Sequence, residues 1–243
     1  MKKLLNTLYV TSPDSYLSLD GENVVILEKE EELGRIPLHN LEAIVCFGYR
    51  GISPALMGGC AMRDISLCFM TPQGKFLARV SGKVKGNVIL REQQYASSQS
   101  EEKSLEIAKN CIIGKVHNAR WVLERATRDH RMQIDVEKVK SASDKLRKSL
   151  ELIKSCHSKE QLRGFEGEAA SVYFSVLDEL ILQQKKEFTF QGRNKRPPLD
   201  NVNALLSFVY TLLTNTITSA LETVGLDPCI GYLHTERPGR ASL

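Results

Sequence analysis

Two residues stand out for their type and setting. His234 lies in Leu226-Asp-Pro-Cys-Ile-Gly-Tyr-Leu-His-Thr-Glu-Arg-Pro-Gly-Arg240, a turn bounded by glycine and proline just after a long apolar stretch. A neutral imidazole ligates metals and a protonated one holds phosphate, and the basic side chains Arg237 and Arg240 follow closely. Glu166 lies in Leu162-Arg-Gly-Phe-Glu-Gly-Glu-Ala-Ala-Ser-Val-Tyr-Phe174, between Gly164 and Gly167 near the start of a helical pattern. Two glycines beside an acid cost helix stability and are tolerated where a backbone or ligand must come close. Taken singly, His234 also suits a packed, hydrogen-bonded ring, and Glu166 an acid in a helix's first turn facing the dipole.

The elements that must position these residues fall into two groups, an α+β arrangement with a strand-rich first domain followed by an all-helical one. At 243 residues, 42% hydrophobic and 26% charged, the composition is that of an ordinary globular protein. A net charge of +4 permits a polyanionic partner without demanding one. Residues 1–91 read as short β-rich runs: Leu8–Val10, Tyr16–Leu19, Val24–Leu27, Ile36–His39, Leu41–Phe47, Ile65–Met70 and Phe76–Val80. Asp20-Gly21 gives a hairpin signal, Glu28–Glu32 a solvated loop or edge, and Ser53-Pro54 the opening of a short helix. Residues 92–100, polar and unpatterned, read as a linker.

From residue 101 to 243 the apolar period becomes helical. Leu105, Ala108, Ile112, Val116, Ala119, Leu123 and Ala126 define one long helix starting near Glu101. Its remaining surface carries Lys103, Lys109, Lys115, Arg120, Arg125, Arg128 and Arg131, a candidate phosphate-facing surface. Val136 to Ile153 form the next helix, and Ser158-Lys-Glu-Gln161 has the capping-box spacing that starts the helix carrying Glu166. Leu177, Leu180, Ile181 and Leu182 are expected to close that helix. A basic connector follows, in which Phe188 and Phe190 interleave with Lys185, Lys186, Arg193, Lys195 and Arg196, a composition suited to a nucleic-acid backbone. The run from Val202 to Val224 approaches membrane-spanning length. Asn203, Asn215 and Glu222 interrupt it, so it reads as a helix buried inside the helical domain, with Asp200 as N-cap, Gly225 just past its end and no membrane span. Asn203 needs a partner, from the backbone or from the site. Six scattered cysteines without a Cys-x-x-Cys pair, together with the lack of a secretion signal, point to reduced thiols in the cytoplasm.

Three motifs taken together are selective: Gly164-Phe-Glu166-Gly-x-Ala-Ala-x-x-Tyr173; Arg196-Pro-Pro-x-Asp200-x-x-Asn203-Ala-Leu-Leu-Ser-Phe-x-Tyr210; and Gly231-Tyr-Leu-His234. They closely resemble the CRISPR-associated adaptation integrase, the metal-dependent nuclease that inserts new spacers into the repeat array. The opening Leu4-Leu-Asn-Thr-Leu-Tyr-Val-Thr-Ser-Pro13 is similar to the type I-C version. The resemblance covers nearly the full length and implies that Glu166 and His234 are catalytic ligands of a divalent metal, Mg²⁺ or Mn²⁺. It places Arg237 near the scissile phosphate, with Arg193, Lys195, Arg196 and Arg240 as further DNA contacts and Tyr173 and Asn203 in support. It also implies a homodimer made through the strand domain, a small ferredoxin-like CRISPR adaptation protein as partner, and double-stranded prespacer and repeat DNA as substrates. A third, acidic ligand is expected further beyond the histidine than this chain extends, and Glu236 is too near His234 to replace it. The alternative reading is therefore a catalytically incomplete, DNA-binding structural subunit. Joining a DNA 3′ hydroxyl to a phosphodiester calls for phosphoryl charge to be neutralised and for attacking and leaving oxygens in line, work suited to a hard cation held by carboxylates. One imidazole ligand tilts the preference toward Mn²⁺.

Overall fold

The computed structural model describes residues 6–83, 87–194, 197–234 and 242. The chain divides into two units: residues 1–90 with 211–227, and residues 91–210 with 228–243.

In the first unit, β1 (Asn6–Val10), β5 (Leu41–Phe47), β6 (Ser66–Met70) and β7 (Phe76–Val80) form one sheet in the order β1-β5-β6-β7. β1 and β6 both run parallel to β5, and β7 closes the sheet antiparallel to β6. The register sets Leu8, Ile44 and Leu67 side by side, and Ile44 and Leu67 are almost fully buried. A second, antiparallel sheet holds β2 (Tyr16–Asp20), β3 (Asn23–Glu28) and β4 (Glu31–Pro37). Helix α1 (Pro54–Met62) begins on Ser53, whose Oγ accepts from the Leu56 amide at 3.2 Å, with proline in the first helical position. One core unites these elements around Leu17, Val24, Leu38, Ile44, Leu56 and Leu67.

The acidic patch is not a loop of any length. Lys29 and Glu30 have φ of 50° and 71°, and Glu28 pairs directly with Glu31. This is a two-residue hairpin turn with both central residues left-handed, a role usually given to Asn-Gly, so Lys-Glu carried no turn signal. β4 accordingly lies earlier than the pattern suggested and ends at Pro37, on the edge of its sheet where a missing N–H costs nothing. Residues Leu38–Asn40 form a single 3₁₀ turn, so the strand expected over 36–39 is cut short.

The second unit begins inside a helix, at Arg91. The polar stretch read as a linker is helical, α2 running Val88–Gln99. α3 (Glu101–Asp129) follows at once, capped by Ser100, whose Oγ accepts from the Lys103 amide. α4 (Val136–Ser155) is capped by Asp135, and α5 (Lys159–Phe174) by Ser158, whose Oγ accepts from the Gln161 amide at 3.2 Å. The Gln161 side chain reaches back to the amide of His157, one residue beyond the cap. α3, α4 and α5 pack round Ile112, Val116, Leu123, Val139, Leu146, Ile153 and Leu162. α5 stops at Phe174, and residues Leu177–Leu180 form a separate 3₁₀ turn rather than its last turn.

α6 (Asn201–Thr223) contributes residues 201–210 to the helical unit and the rest to the first. Asp200 Oδ1 caps it by accepting from the Asn203 amide at 2.7 Å. Gly225, at φ 87°, closes it: its own N–H reaches the Glu222 carbonyl at 3.0 Å, and the Leu226 N–H reaches the Leu221 carbonyl at 2.8 Å, the paired bonds of a Schellman end. Within the first unit, Ser219 bonds to Ser66 of β6 at 3.0 Å and Glu222 pairs with Arg79 of β7. The expectation of a buried helix fails. Only 6% of its most apolar window is buried, and Leu205, Val209, Leu213 and Ile217, spaced four apart, form an exposed stripe. By length and composition alone α6 would also pass as a membrane-crossing helix. Its ends argue otherwise, because Asn203 sits in a polar network and Glu222 is ion-paired to a strand.

Candidate active site

Glu166 is the eighth residue of the sixteen in α5, not a first-turn acid, so the helix dipole does not account for it. Its side chain is about three-quarters buried, and its carboxylate pairs with the ammonium of Lys115 on α3. A Cβ added at Gly164, Gly167 or Gly114 would meet nothing within 4 Å. The glycines therefore leave the helix surface bare at their own positions on α5 and α3, without a side chain to keep another group away.

The segment carrying His234 is tied to the same helices by its backbone. The Oγ of Ser104, in the first turn of α3, donates to the Tyr232 carbonyl at 2.8 Å. Arg163 donates twice to the Leu233 carbonyl, from Nε at 3.2 Å and Nη2 at 2.7 Å. Arg163 lies one turn before Glu166 on α5, a spacing that puts both on one face. Tyr232 and Leu233 pack against the helical core while His234 itself is exposed. Gly231 is buried, and a Cβ there would stand 2.8 Å from the His234 carbonyl oxygen and 2.8 Å from Ser242 Cβ. Only glycine fits this turn without displacing the histidine. Sequence reasoning missed Ser104 and Arg163 as anchors, and treated Lys115 as one basic residue among seven.

Carboxylate and imidazole suit a divalent ion in kind, and the Lys115 ammonium stands at Glu166 as a cation in its own right. Among the described residues no group of three His, Cys, Asp or Glu side chains gathers to complete such a site.

Asn203 has no exposed surface. Its Oδ1 accepts from Arg193 Nη1 at 2.8 Å and from the Asn194 amide at 3.1 Å, while its Nδ2 donates to the Gly192 carbonyl at 2.8 Å and to Asp200 Oδ2 at 2.7 Å. The Arg193 guanidinium also donates to the Asn194 carbonyl at 2.6 Å and lies 5.7 Å from the Tyr210 ring centroid. Its charge is turned inward, stapling the connector to the start of α6. Tyr173 is half-buried edge-on to Phe174, and burial, with Tyr210 adding to it, holds its phenol above the usual range, so it remains a proton donor. Phe190 is buried against Phe174 at 5.7 Å, so it is not an exposed stacking platform, and Lys185 pairs with Asp178.

The basic face of α3 is also less free than its sequence suggests, since Arg120 pairs with Glu124, and Arg125 and Arg128 both pair with Asp129. Lys195, Arg196, Glu236, Arg237 and Arg240 lie outside the described residues.

The sequence matches the family described as CRISPR associated protein Cas1 over residues 8–243. The chain belongs to the Cas1 family. A CRISPR-associated endonuclease Cas1 of Chlorobaculum tepidum is 50% identical over 243 residues, covering all of this chain and 71% of the relative. A second, from Rhodospirillum rubrum, is 47% identical with the same coverage. In fold, a Cas1 protein from Thermotoga maritima superposes with a TM-score of 0.72 at 22% identity, over 98% of this chain and 72% of that one. A casposase bound to integration product gives 0.73 at 21% identity, over 98% and 67%. The strand-rich region followed by helices is thus the Cas1 fold, and the relatives closest in sequence among these are named endonucleases.

Proposed function

We propose that this Cas1-family chain is a divalent-metal-dependent DNA endonuclease and integrase of CRISPR adaptation, acting in the cytoplasm on double-stranded prespacer and repeat DNA. The observation that carries the reading is the tie between the two key segments: Arg163, one turn from Glu166, grips the carbonyl of the residue before His234. Glu166 and His234 are the side chains that would hold Mg²⁺ or Mn²⁺. Such an ion supplies charge neutralisation and polarisation of the phosphodiester as a DNA 3′ hydroxyl attacks phosphorus and the leaving 3′ oxygen departs.

The chain's own residues supply the setting. Ser104 and Arg163 fix the backbone that carries the imidazole, and Gly164 and Gly167 keep the surface of α5 around Glu166 low in bulk, so that a sugar-phosphate strand can come close. Asn203 and Arg193 hold the connector whose next residues, Lys195 and Arg196, contact DNA together with Arg237 and Arg240. Tyr173 supports the site as a neutral phenol. The assembly is a homodimer through the strand domain, working with a small ferredoxin-like adaptation protein; Cas1–Cas2 complexes among the structural neighbours are in keeping with it.

One observation favours a second reading. With no three-ligand group among the described residues, the chain would be a DNA-binding structural subunit without catalysis. Cleavage of duplex DNA with Mg²⁺ or Mn²⁺, by the wild type and by Glu166→Ala and His234→Ala, separates the two. Activity lost in both variants supports the enzyme; equal residual activity in all three proteins leaves the structural subunit.

A further inference from the structure

Glu166 already has a cation. The Lys115 ammonium, reaching across from α3, pairs with its carboxylate, and the two partners are unlike in their freedom. The Glu166 side chain is 24% exposed and fixed on a packed helix, whereas Lys115 is 52% exposed on a flexible four-carbon stem. With half its surface in solvent, that stem can swing away from the carboxylate into water. A half-exposed pair of this sort is weak, because water compensates the ammonium when it leaves. A lysine can thus neutralise a buried-side acid while no metal is present and give it up without disturbing the fold. Arginine, with a planar fork that grips a carboxylate at two points, would release it less readily.

We propose that Lys115 is the resident counter-ion of Glu166, displaced when a divalent cation binds there, so that metal binding exchanges one cation for another and frees the ammonium beside the substrate strand. The proposal rests on the reading of Glu166 as a metal ligand. It makes Lys115 a tuning residue for metal affinity rather than a catalytic one. Its loss should strengthen metal binding, the opposite of what losing a ligand or a structural brace would do.

The test is titration of Mn²⁺ into DNA-free protein, followed by calorimetry and by the free-Mn²⁺ electron paramagnetic resonance signal. Wild type is compared with Lys115→Met, Lys115→Arg and Glu166→Gln, each checked for folding by circular dichroism. Lys115→Met should bind Mn²⁺ at least about twofold and up to about fivefold more tightly, the range that a weak surface-type pair allows. Lys115→Arg should bind no more tightly than wild type, and Glu166→Gln should lose the site. If Lys115→Met perturbs the fold, Lys115→Gln carries the same expectation. Unchanged or weakened binding in the folded neutral variant, with Glu166→Gln still losing the site, overturns the proposal alone. Unchanged binding in Glu166→Gln overturns the metal-ligand reading beneath it.

Discussion

Replacing Asn203 by alanine should cost the helical unit about 1–3 kcal/mol, and the figure follows from what the side chain leaves behind. Arg193 retains the Asn194 carbonyl and Asp200 retains the Asn203 amide, so neither is orphaned. The Asn194 N–H loses the oxygen that served it at 3.1 Å, while the Gly192 carbonyl, bonded at 2.8 Å but on an exposed residue, can turn to water. An unpartnered buried polar group costs about 1–3 kcal/mol, and water entering the vacated volume recovers part of it. Asn203→Asp should not rescue. It keeps an acceptor for Arg193 and Asn194 but turns an oxygen toward the Gly192 carbonyl and the Asp200 carboxylate, where the native group donates. Urea unfolding followed by fluorescence measures the loss in the right place, because the single tryptophan, Trp121, lies on α3 in the same unit. A cost below about 1 kcal/mol for alanine, or an aspartate variant as stable as wild type, would refute the network as described.

Other expectations follow from single features. Gly231→Ala should push the His234 backbone out of place, lowering metal-dependent cleavage by at least about tenfold while shifting the melting temperature by only a few degrees. In native protein at pH 8, Cys111 and Cys229 should react with a thiol reagent well before the other four; burial pushes Cys46 up to about 12 and Cys60 and Cys68 to about 11, and Cys156 is buried. Rapid reaction of four or more thiols would contradict this packing. The Asn203 amide bonds, backbone first and side chain second, hold Asp200 below the usual carboxylate range. A depressed folded value means the stabilisation is present above the unfolded pKa of about 3.9 and is lost as pH falls through the folded one, so Asp200→Asn should flatten the acid limb of stability below about pH 4.

Much of the helical unit was legible because its signals are local. Ser158 and Asp200 cap as read from the sequence, and Gly225 closes α6 with both bonds of its motif. What escaped the reading had no composition signal to mark it, even where the contacts are local. α2 has too few apolar residues to show a period, yet it is helical. The Lys29-Glu30 turn is left-handed without a glycine or asparagine to announce it. The basic face of α3 looked open because its acids, Glu124 and Asp129, are sparse, though each is placed to pair. α6 has the composition of a buried helix, but its Leu205–Val209–Leu213–Ile217 stripe faces outward. At the candidate site the residue types were visible from their motifs. The backbone anchors were not, since an arginine bonding a carbonyl seventy positions away leaves no spacing to read.

The central claim is that Glu166 and His234 share one cation, and it is tested most directly by pulsed electron paramagnetic resonance of Mn²⁺ bound to protein carrying ¹⁵N-histidine. Hyperfine coupling from one imidazole nitrogen is expected, abolished in His234→Ala, with the bound Mn²⁺ itself lost in Glu166→Gln. Bound Mn²⁺ with no nitrogen coupling, or coupling that survives in His234→Ala, would contradict it.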